Sequence, residues 1–302
     1  MCQSGKIRFL EQLSGSQLRN LWKELGHEFT AAAWGKIASE YAVQMLRCEE
    51  CGFVFFDPSL AGNEAFYGEL EHAEYFTVAR PEFGRTLKFA KRHRLQRVLD
   101  VGCGSGAFLD LAREAGLETC GLEFNAAAAR KTEAKGHRIF TGLLHELDRG
   151  RCSGGFDLIT LFQVLEHVAA PVELLKDAAA LLHPKGYLSI AVPSEHGVSK
   201  LAPWDPHQWP PHHLSRWRLV DLKHLAKAAH LRLVSSGGDL LLGSDLEHFW
   251  RIRNRLAATA GKKAKPAIPI WFKPATFLYR KTGMKFLFPR CGISIYGYLA
   301  RI

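Results

Sequence analysis

Three glycines, Gly102, Gly104 and Gly106, stand at alternate positions after an apolar segment and before a helical pattern. Because glycine has no side chain, a loop of this kind can pass directly beneath a ligand. Dinucleotide-binding loops use the different spacing G-x-G-x-x-G, which receives a pyrophosphate. Here Asp100 lies two positions ahead of the first glycine. A carboxylate at this point suits a cofactor that carries an ammonium and a sulfonium and no phosphate.

Glu123 ends the next predicted strand, seventeen residues after Gly106. At a strand end, a carboxylate can accept hydrogen bonds from both hydroxyls of a ribose. A glycine-rich turn alone is common, and so is a glutamate at a strand end. Their combination in one strand-helix-strand unit predicts a site for a nucleoside-containing cofactor.

Three histidines are candidates for a general base beside that cofactor. His167 follows a predicted strand at the carboxyl edge of the sheet, where ligands of such folds bind. His212 and His213 lie in a proline-rich loop, 204–217, which contains three tryptophans. A structural role is the alternative: the two loop histidines can fix the loop through backbone hydrogen bonds, and His167 can bond a neighbouring carboxylate.

Strand and helix patterns alternate through the middle of the chain, which predicts a parallel sheet with helices on both faces. The last two strands are expected to form an antiparallel edge. The predicted helices cover 80–93, 107–115, 126–135, 172–182 and 219–229. The predicted strands cover 97–102, 119–124, 138–141, 156–162, 187–192, 231–235 and 294–300.

Residues 98–234 resemble the class I S-adenosylmethionine (SAM)-dependent methyltransferases. The likeness rests on the glycine loop, on Glu123, on the stretch 156–168 (FDLITLFQVLEHV), and on Pro171 and Pro193. It implies an α/β fold with a Rossmann-like, seven-stranded methyltransferase sheet and helices on both faces. It also implies that SAM is the cofactor and that the protein is a methyltransferase. The CxxCG turn at 48–52 and the loop at 210–217 are similar to a bacterial subgroup of the family.

The resemblance further implies which residues bind the cofactor. Asp100 and the glycines line the methionine part of SAM, and Glu123 binds its ribose. The turn at 142–144 and the segment 162–165 flank the adenine and the sulfonium. The implied cofactor-binding residues are Asp100, Gly102, Cys103, Gly104, Gly106, Glu123, Phe124, Leu143, Phe162, Gln163 and Val164.

Two features bear on metal binding. Ubiquinone-biosynthesis O-methyltransferases, which the 156–168 stretch resembles, carry E-x-x-E-H there and are thought to use it for a divalent ion. This chain has Gln163 in place of the first glutamate, which removes one anionic ligand. Cys48 and Cys51 form half of a zinc knuckle without an obvious second pair, so a metal-free turn is favoured over zinc. We therefore predict no metal site.

The sequence favours O-methylation of a small molecule, a glycan or a lipid-linked precursor. Nucleic acid is disfavoured as the acceptor because the segment 163–166 lacks both the Asn/Asp-Pro-Pro-aromatic turn of amino-directed enzymes and a Pro-Cys nucleophile. Three alternatives stay open: a nucleic-acid methyltransferase, a catalytically idle SAM-binding or scaffold protein, and a nicotinamide-dependent oxidoreductase, which the glycine spacing disfavours. The oligomeric state is not readable from the sequence.

The pattern divides the chain into four parts. These are an N-terminal extension (1–79), a SAM-binding core (80–238), an inserted segment (239–292) and a final core strand (293–302). No apolar stretch reaches the roughly 18 residues of a membrane span, and no secretory signal pattern is seen. The seven cysteines are irregularly spaced, which fits a reducing compartment. A cytoplasmic protein is therefore expected.

The net charge of +10 belongs to the end of the chain. Twelve of the 40 basic residues follow the last acidic residue, Glu247, which leaves 28 basic residues against 30 acidic ones elsewhere. Residues 249–290 also interleave aromatic and basic side chains. Such a pattern suits peripheral contact with the anionic inner membrane surface, contact with nucleic acid backbone, or aromatic packing as a lid with solvated cations.

Overall fold

The computed structural model describes residues 4–70, 80–147, 154–197, 202–239, 253, 256 and 293–302. Its strands are β1 (Ile7–Ser14), β2 (Ala42–Cys48), β3 (Val54–Phe55), β4 (Arg97–Val101), β5 (Glu118–Glu123), β6 (Arg138–Thr141), β7 (Phe156–Phe162), β8 (Leu182–Pro193), β9 (Ser215–Arg216), β10 (Leu231–Gly238) and β11 (Ser294–Arg301). Its α-helices are α1 (Gly15–Glu24), α2 (Ala31–Trp34), α3 (Glu64–Glu69), α4 (Pro81–His93), α5 (Ala107–Glu114), α6 (Ala126–Glu133), α7 (Pro171–Ala180) and α8 (Leu219–Ala228).

The larger sheet has seven strands in the order β10-β11-β8-β7-β4-β5-β6. Strands β4 to β8 run parallel, while β11 lies antiparallel between β8 and β10. The predicted fold class is therefore confirmed, including the antiparallel edge. Because parallel strands β4 and β5 are neighbours, the glycine loop after β4 and Glu123 at the end of β5 lie at the same edge of the sheet.

Burial explains why the central strands are nearly continuous apolar runs. Helices cover both faces of a parallel sheet, so side chains on either face of a strand are buried. In β7 every residue except Asp157 is buried. Helix α5 buries Phe108, Leu109 and Ala112, which recur at the spacing of one helical face. The predicted helix at 80–93 is α4, and it buries Phe83 and Ala90.

A smaller, four-stranded sheet has the order β1-β2-β3-β9. Its last strand, β9, comes from the range that the sequence assigned to the core, so residues of both parts build this sheet. Helix α1 packs Leu18, Leu21 and Trp22 into an apolar cluster that is separate from the core of the larger sheet. The CxxCG turn is joined to the core because Nη2 of Arg218 donates a hydrogen bond to the carbonyl of Cys51 at 2.8 Å.

The inserted segment is the largest part of the chain that the structure does not describe. Nearly all of 240–292 lies outside the described residues, and with it most of the basic and aromatic pattern. Among the helices that the structure describes, none combines the length and the apolar composition that crossing a bilayer requires.

Gly121, in the middle of β5, packs closely against Cys103 of the glycine loop. This close packing predicts how a larger residue would change stability. A Cβ atom at this position would lie 2.6 Å from Sγ of Cys103 and 2.7 Å from Cδ1 of Ile139. Gly121→Ala is therefore expected to lower the free energy of unfolding by about 1 to 3 kcal/mol, as measured by urea denaturation.

The matched control is Gly84→Ala on the exposed face of α4, where an added Cβ atom meets nothing within 4 Å. Because alanine stabilises a helix relative to glycine, this variant is expected to gain about 0.5 to 1 kcal/mol. Equal stability of the two variants would contradict the tight packing beneath the loop.

Candidate active site

The glycine loop uses its own backbone donors within the protein. All three glycines have left-handed φ angles, 72° at Gly102, 52° at Gly104 and 78° at Gly106. The N–H of Gly102 donates to the carbonyl of Leu122 at 2.8 Å, and the N–H of Gly104 donates to Oε2 of Glu123 at 2.8 Å. A pyrophosphate would need donors of this kind. The loop therefore does not fit a dinucleotide phosphate.

Asp100 gives the floor of the site its charge. Its side chain is 4% exposed, and Oδ1 accepts a hydrogen bond of 2.6 Å from the hydroxyl of Thr160. Burial raises the pKa of Asp100 to about 7, against the opposing effect of that bond. A buried carboxylate repels phosphate and attracts a cation, so this floor fits an ammonium group.

Glu123 connects the loop to the next helix. Its Oε1 accepts from the N–H of Asn125 at 2.9 Å, while Oε2 accepts from Gly104. Each carboxylate oxygen has two lone pairs and can accept more than one donor, a property that suits a ligand carrying two neighbouring ribose hydroxyls. The side chain of Asn125 in turn caps α6 by accepting from the N–H groups of Ala127 and Ala128.

A cavity of about 450 Å³ opens above the loop. This volume is in the range of sites for small molecules and cofactors. Phe124 and Leu143 line it and are 41% and 42% exposed, which is unusual for large apolar side chains. Two exposed apolar surfaces after neighbouring strands fit the faces of a purine ring. The buried carboxylate of Asp100, the carboxylate of Glu123 and this apolar rim together fit SAM.

Most of the candidate residues from the sequence line this cavity. They are Asp100, Gly102, Cys103, Gly104, Glu123, Phe124, Leu143, Phe162, Gln163, Val164, His167 and His212. Gly106 and His213 are not part of the lining. At Gly106, an added Cβ atom would lie 2.6 Å from Cγ2 of Thr132, so this glycine allows close packing between the loop and α6. Burial raises the pKa of the Cys103 thiol, so it stays protonated.

The turn after β7 holds polar side chains in fixed directions. Gln163 has φ of 56°, which is strained for a residue other than glycine. Its Nε2 donates to Oε1 of Glu82 at 3.2 Å and to Oγ of Ser294 at 3.1 Å. Glu166 is 1% exposed, and in the part of the chain that the structure describes neither of its carboxylate oxygens has a hydrogen-bond partner. Burial raises the pKa of Glu166 to about 8.

His167, His212 and His213 form a compact histidine cluster. The ring of His167 lies 4.6 Å from that of His212 and 4.8 Å from that of His213, measured between centroids. Nδ1 of His167 lies 2.7 Å from the carbonyl oxygen of His212, so this nitrogen carries the proton and Nε2 is the acceptor. Burial lowers the pKa of His167 to about 4 and lowers those of His212 and His213 well below the ordinary value.

Residues that the sequence did not single out complete the wall of the cavity. Tyr67, Leu70, Arg80 and Phe83 all line it. The hydroxyl of Tyr67 lies 3.2 Å from Nδ1 of His167, although the two residues are one hundred positions apart. Tyr67 belongs to α3 of the smaller part of the structure, and no motif marks it. The only sequence signal for Tyr67 is that it follows another aromatic residue in a helix, and aromatic residues in helices are common in protein cores.

A family model described as a methyltransferase domain matches residues 72–236, which is more than half of the chain. The match covers the glycine loop, Glu123 and the histidine cluster. The chain belongs to this family. Together with the sheet order and the loop geometry, membership confirms the class I SAM-dependent methyltransferase identified from the sequence, and with it SAM as the cofactor.

Individual relatives of this methyltransferase are distant. The ubiquinone biosynthesis O-methyltransferase of Ralstonia nicotianae is 29% identical over 31% of this chain and 41% of its own length. The protein of the same name from Burkholderia thailandensis is 26% identical over 47% of this chain and 67% of its own. A SAM-dependent methyltransferase structure from Archaeoglobus fulgidus is 18% identical, covers 78% of this chain and 99% of its own, and has a TM-score of 0.47.

The chain spans about two fifths of the length of the first curated relatives that it matches. These partial matches therefore do not specify the acceptor.

Proposed function

We propose that this protein transfers the methyl group of SAM to a hydroxyl oxygen of a small molecule, a glycan or a lipid-linked precursor. One observation carries the proposal: His167 lies in the wall of the cofactor cavity with Nδ1 bonded to a carbonyl, so that the acceptor nitrogen of its ring is Nε2. A neutral imidazole nitrogen at this place can accept a hydrogen bond from an acceptor hydroxyl.

The chain positions both reactants. SAM, when bound, supplies a methyl group made electrophilic by the adjoining sulfonium. Asp100 and Glu123 hold the donor at one end, and Tyr67 and His167 line the other end of the same cavity. Methyl transfer is an in-line displacement, so alignment of donor and acceptor contributes most of the rate. The buried hydrogen bond from His167 to the loop carbonyl fixes the ring for this purpose.

The loop that carries His212 is tied to both parts of the protein. The N–H of Leu214 donates to the carbonyl of Glu166 at 2.7 Å, and the carbonyl of Leu214 accepts from the N–H of Phe56 at 2.9 Å. The acceptor end of the cavity therefore has a rigid wall, which favours one shape of acceptor. The relatives from Ralstonia nicotianae and Burkholderia thailandensis are named O-methyltransferases, which supports an oxygen acceptor.

The rate of methyl transfer tests the proposal. His167→Asn keeps a donor for the carbonyl of His212 but lacks the Nε2 acceptor. We expect this variant to lower kcat about 100-fold or more with hydroxyl-bearing acceptors, measured as S-adenosylhomocysteine formation, while the Kd for SAM is unchanged. His145→Asn, an exposed histidine elsewhere in the chain, is the matched control and should keep full activity.

Acceptor panels separate the rival functions. Phenols, sugars and lipid-linked precursors are compared with matched amines and with RNA. Turnover of amines or RNA alone would contradict the oxygen acceptor. A third outcome is that the protein binds SAM yet methylates none of these acceptors and nothing in an extract of the source cell. That result would favour the catalytically idle SAM-binding alternative.

The finer expectations on partners and location stay predictions. Peripheral contact of the basic segment with anionic membrane, a cytoplasmic location and a lipid-linked acceptor are mutually consistent. The membrane contact rests on the composition of residues 249–290, and the cytoplasmic location rests on the irregular spacing of the seven cysteines.

A further inference from the structure

The histidine cluster has the composition of a transition-metal site. One ring nitrogen from each of His167, His212 and His213 lies within 4.8 Å of the other two. A tetrahedral zinc ion with Zn–N distances of about 2.0 to 2.1 Å separates its ligand nitrogens by about 3.3 Å. The rings would therefore have to reorient around an ion, His212 and His213 most of all because they are stacked at an interplanar angle of 19°. Three imidazoles are a ligand set that suits zinc, iron and nickel ions.

The orientation of two rings follows the pattern of metal-binding histidines. Such histidines donate their other ring N–H to a carbonyl or a carboxylate, which fixes the tautomer. Nδ1 of His167 lies 2.7 Å from the carbonyl of His212, and Nδ1 of His212 lies 2.9 Å from the carbonyl of His207. In both rings, Nε2 is therefore the nitrogen that has the lone pair.

The third ring is buried and packed against the other two. His213 is 4% exposed, and its ring stacks on that of His212 at 4.5 Å between centroids. The same ring lies 4.8 Å from that of His167, again between centroids. The fold therefore gathers all three imidazoles at one place beside the cavity.

An unpartnered buried carboxylate beside the cluster is a second, independent observation. Oε1 of Glu166 lies 3.8 Å from Nε2 of His167, and among the described residues neither oxygen of Glu166 finds a hydrogen-bond partner. A buried carboxylate without a partner is costly. A bound cation would offset this cost, and Glu166 would supply negative charge to a site that also lies near Arg80.

We propose that His167, His212 and His213 bind one divalent transition-metal ion, with Glu166 as the neighbouring anion. This set shares Glu166 and His167 with the E-x-x-E-H stretch, while His212 and His213 come from the proline-rich loop and stand in for the glutamate that Gln163 replaces. His167 and His212 line the cofactor cavity, so an ion bound to them would lie beside it. One part of this inference rests on the proposed function. In the metal-bound protein, the acceptor oxygen would contact the ion, because Nε2 of His167 would then be a metal ligand.

Metal binding is measured on the full chain without acceptor or SAM, so its failure is distinct from failure of methyl transfer. The protein is stripped with a chelator and titrated with Co²⁺ and Zn²⁺. We expect one equivalent of each, with visible Co²⁺ absorption of a four-coordinate nitrogen and oxygen site. The ultraviolet charge-transfer band of a thiolate ligand should be absent. This spectrum needs no variant and also excludes a site at Cys48 and Cys51.

Variants locate the ion. His213→Asn should weaken Zn²⁺ binding about 100-fold or more, while the Kd for SAM stays unchanged and shows that the variant is folded. The exposed His183→Asn and the double variant Cys48→Ser/Cys51→Ser should bind Zn²⁺ as the parent does. Absence of stoichiometric binding in the parent chain overturns the proposal. Binding that is lost in the cysteine variant and kept in His213→Asn does so as well.

Discussion

Replacing Glu123 with alanine is expected to weaken SAM binding about 100-fold or more. The carboxylate accepts from the N–H of Gly104 at 2.8 Å and from the N–H of Asn125 at 2.9 Å, and we propose that it also accepts from the two ribose hydroxyls. A hydrogen bond to a charged group contributes about 1.5 to 3 kcal/mol, so loss of two ribose bonds accounts for this factor. Isothermal titration calorimetry measures the change.

A second glutamate on the same strand gives the control. Glu118 begins β5 and forms an ion pair of 3.1 Å with Arg97, but its side chain is 63% exposed. An exposed ion pair contributes little. Glu118→Ala should therefore bind SAM with the affinity of the parent chain. Near-equal affinities of the Glu123 and Glu118 variants would remove Glu123 from the cofactor site.

The affinity for SAM is expected to fall about tenfold for each pH unit below 7. Burial raises the pKa of Asp100 to about 7 in the free protein, so the carboxyl is mostly protonated at lower pH. We propose that its ionised form attracts the ammonium and sulfonium of SAM, which keep their charges in this range. Binding then releases a proton below pH 7, and the affinity levels off above it. Calorimetry in buffers of different ionisation enthalpy measures the proton release.

Asp100→Asn isolates the contribution of this carboxyl. The variant should bind SAM more weakly at pH 7.5 and should lose the pH dependence between 5 and 7. A variant that keeps the parent slope would show that another group titrates. The free energy of unfolding depends on pH in the opposite direction to SAM affinity. The pKa of Asp100 in the folded protein lies above the unfolded value of 3.8, so the contribution of this carboxyl to stability is fully present below about pH 4. That contribution is lost as the pH rises through 7.

Prediction succeeded where the relevant residues are neighbours along the chain or along one sheet edge. The strand at 97–102, the helix at 107–115 and Glu123 follow one another in a strand-helix-strand unit, and the structure keeps that register. Alternation of apolar strands and amphipathic helices is a local property, so it predicted the sheet and the helix ends within about two residues. Family resemblance added Phe124 and Leu143, which spacing alone does not mark.

Prediction was incomplete where contacts join distant residues. Tyr67 lies beside His167, and Gln163 donates to Glu82, across 100 and 81 positions respectively. Such pairs depend on how α3 and α4 pack on the sheet. Neither the periodicity of a helix nor a motif specifies which of its side chains reaches a cavity, because many helix faces bury in the same way.

The loop from Asp100 to Gly106 and the position of Glu123 could be predicted from residue order, since backbone geometry within one strand-helix-strand unit sets them. Only tertiary packing brought the histidine cluster together. It placed His213 outside the cavity lining yet put one of its ring nitrogens within 4.8 Å of nitrogens of His167 and His212, and it buried Glu166 beside them with no hydrogen-bond partner among the described residues. The physical reason is that ligand geometry and desolvation depend on through-space packing, which residue order along the chain does not encode locally.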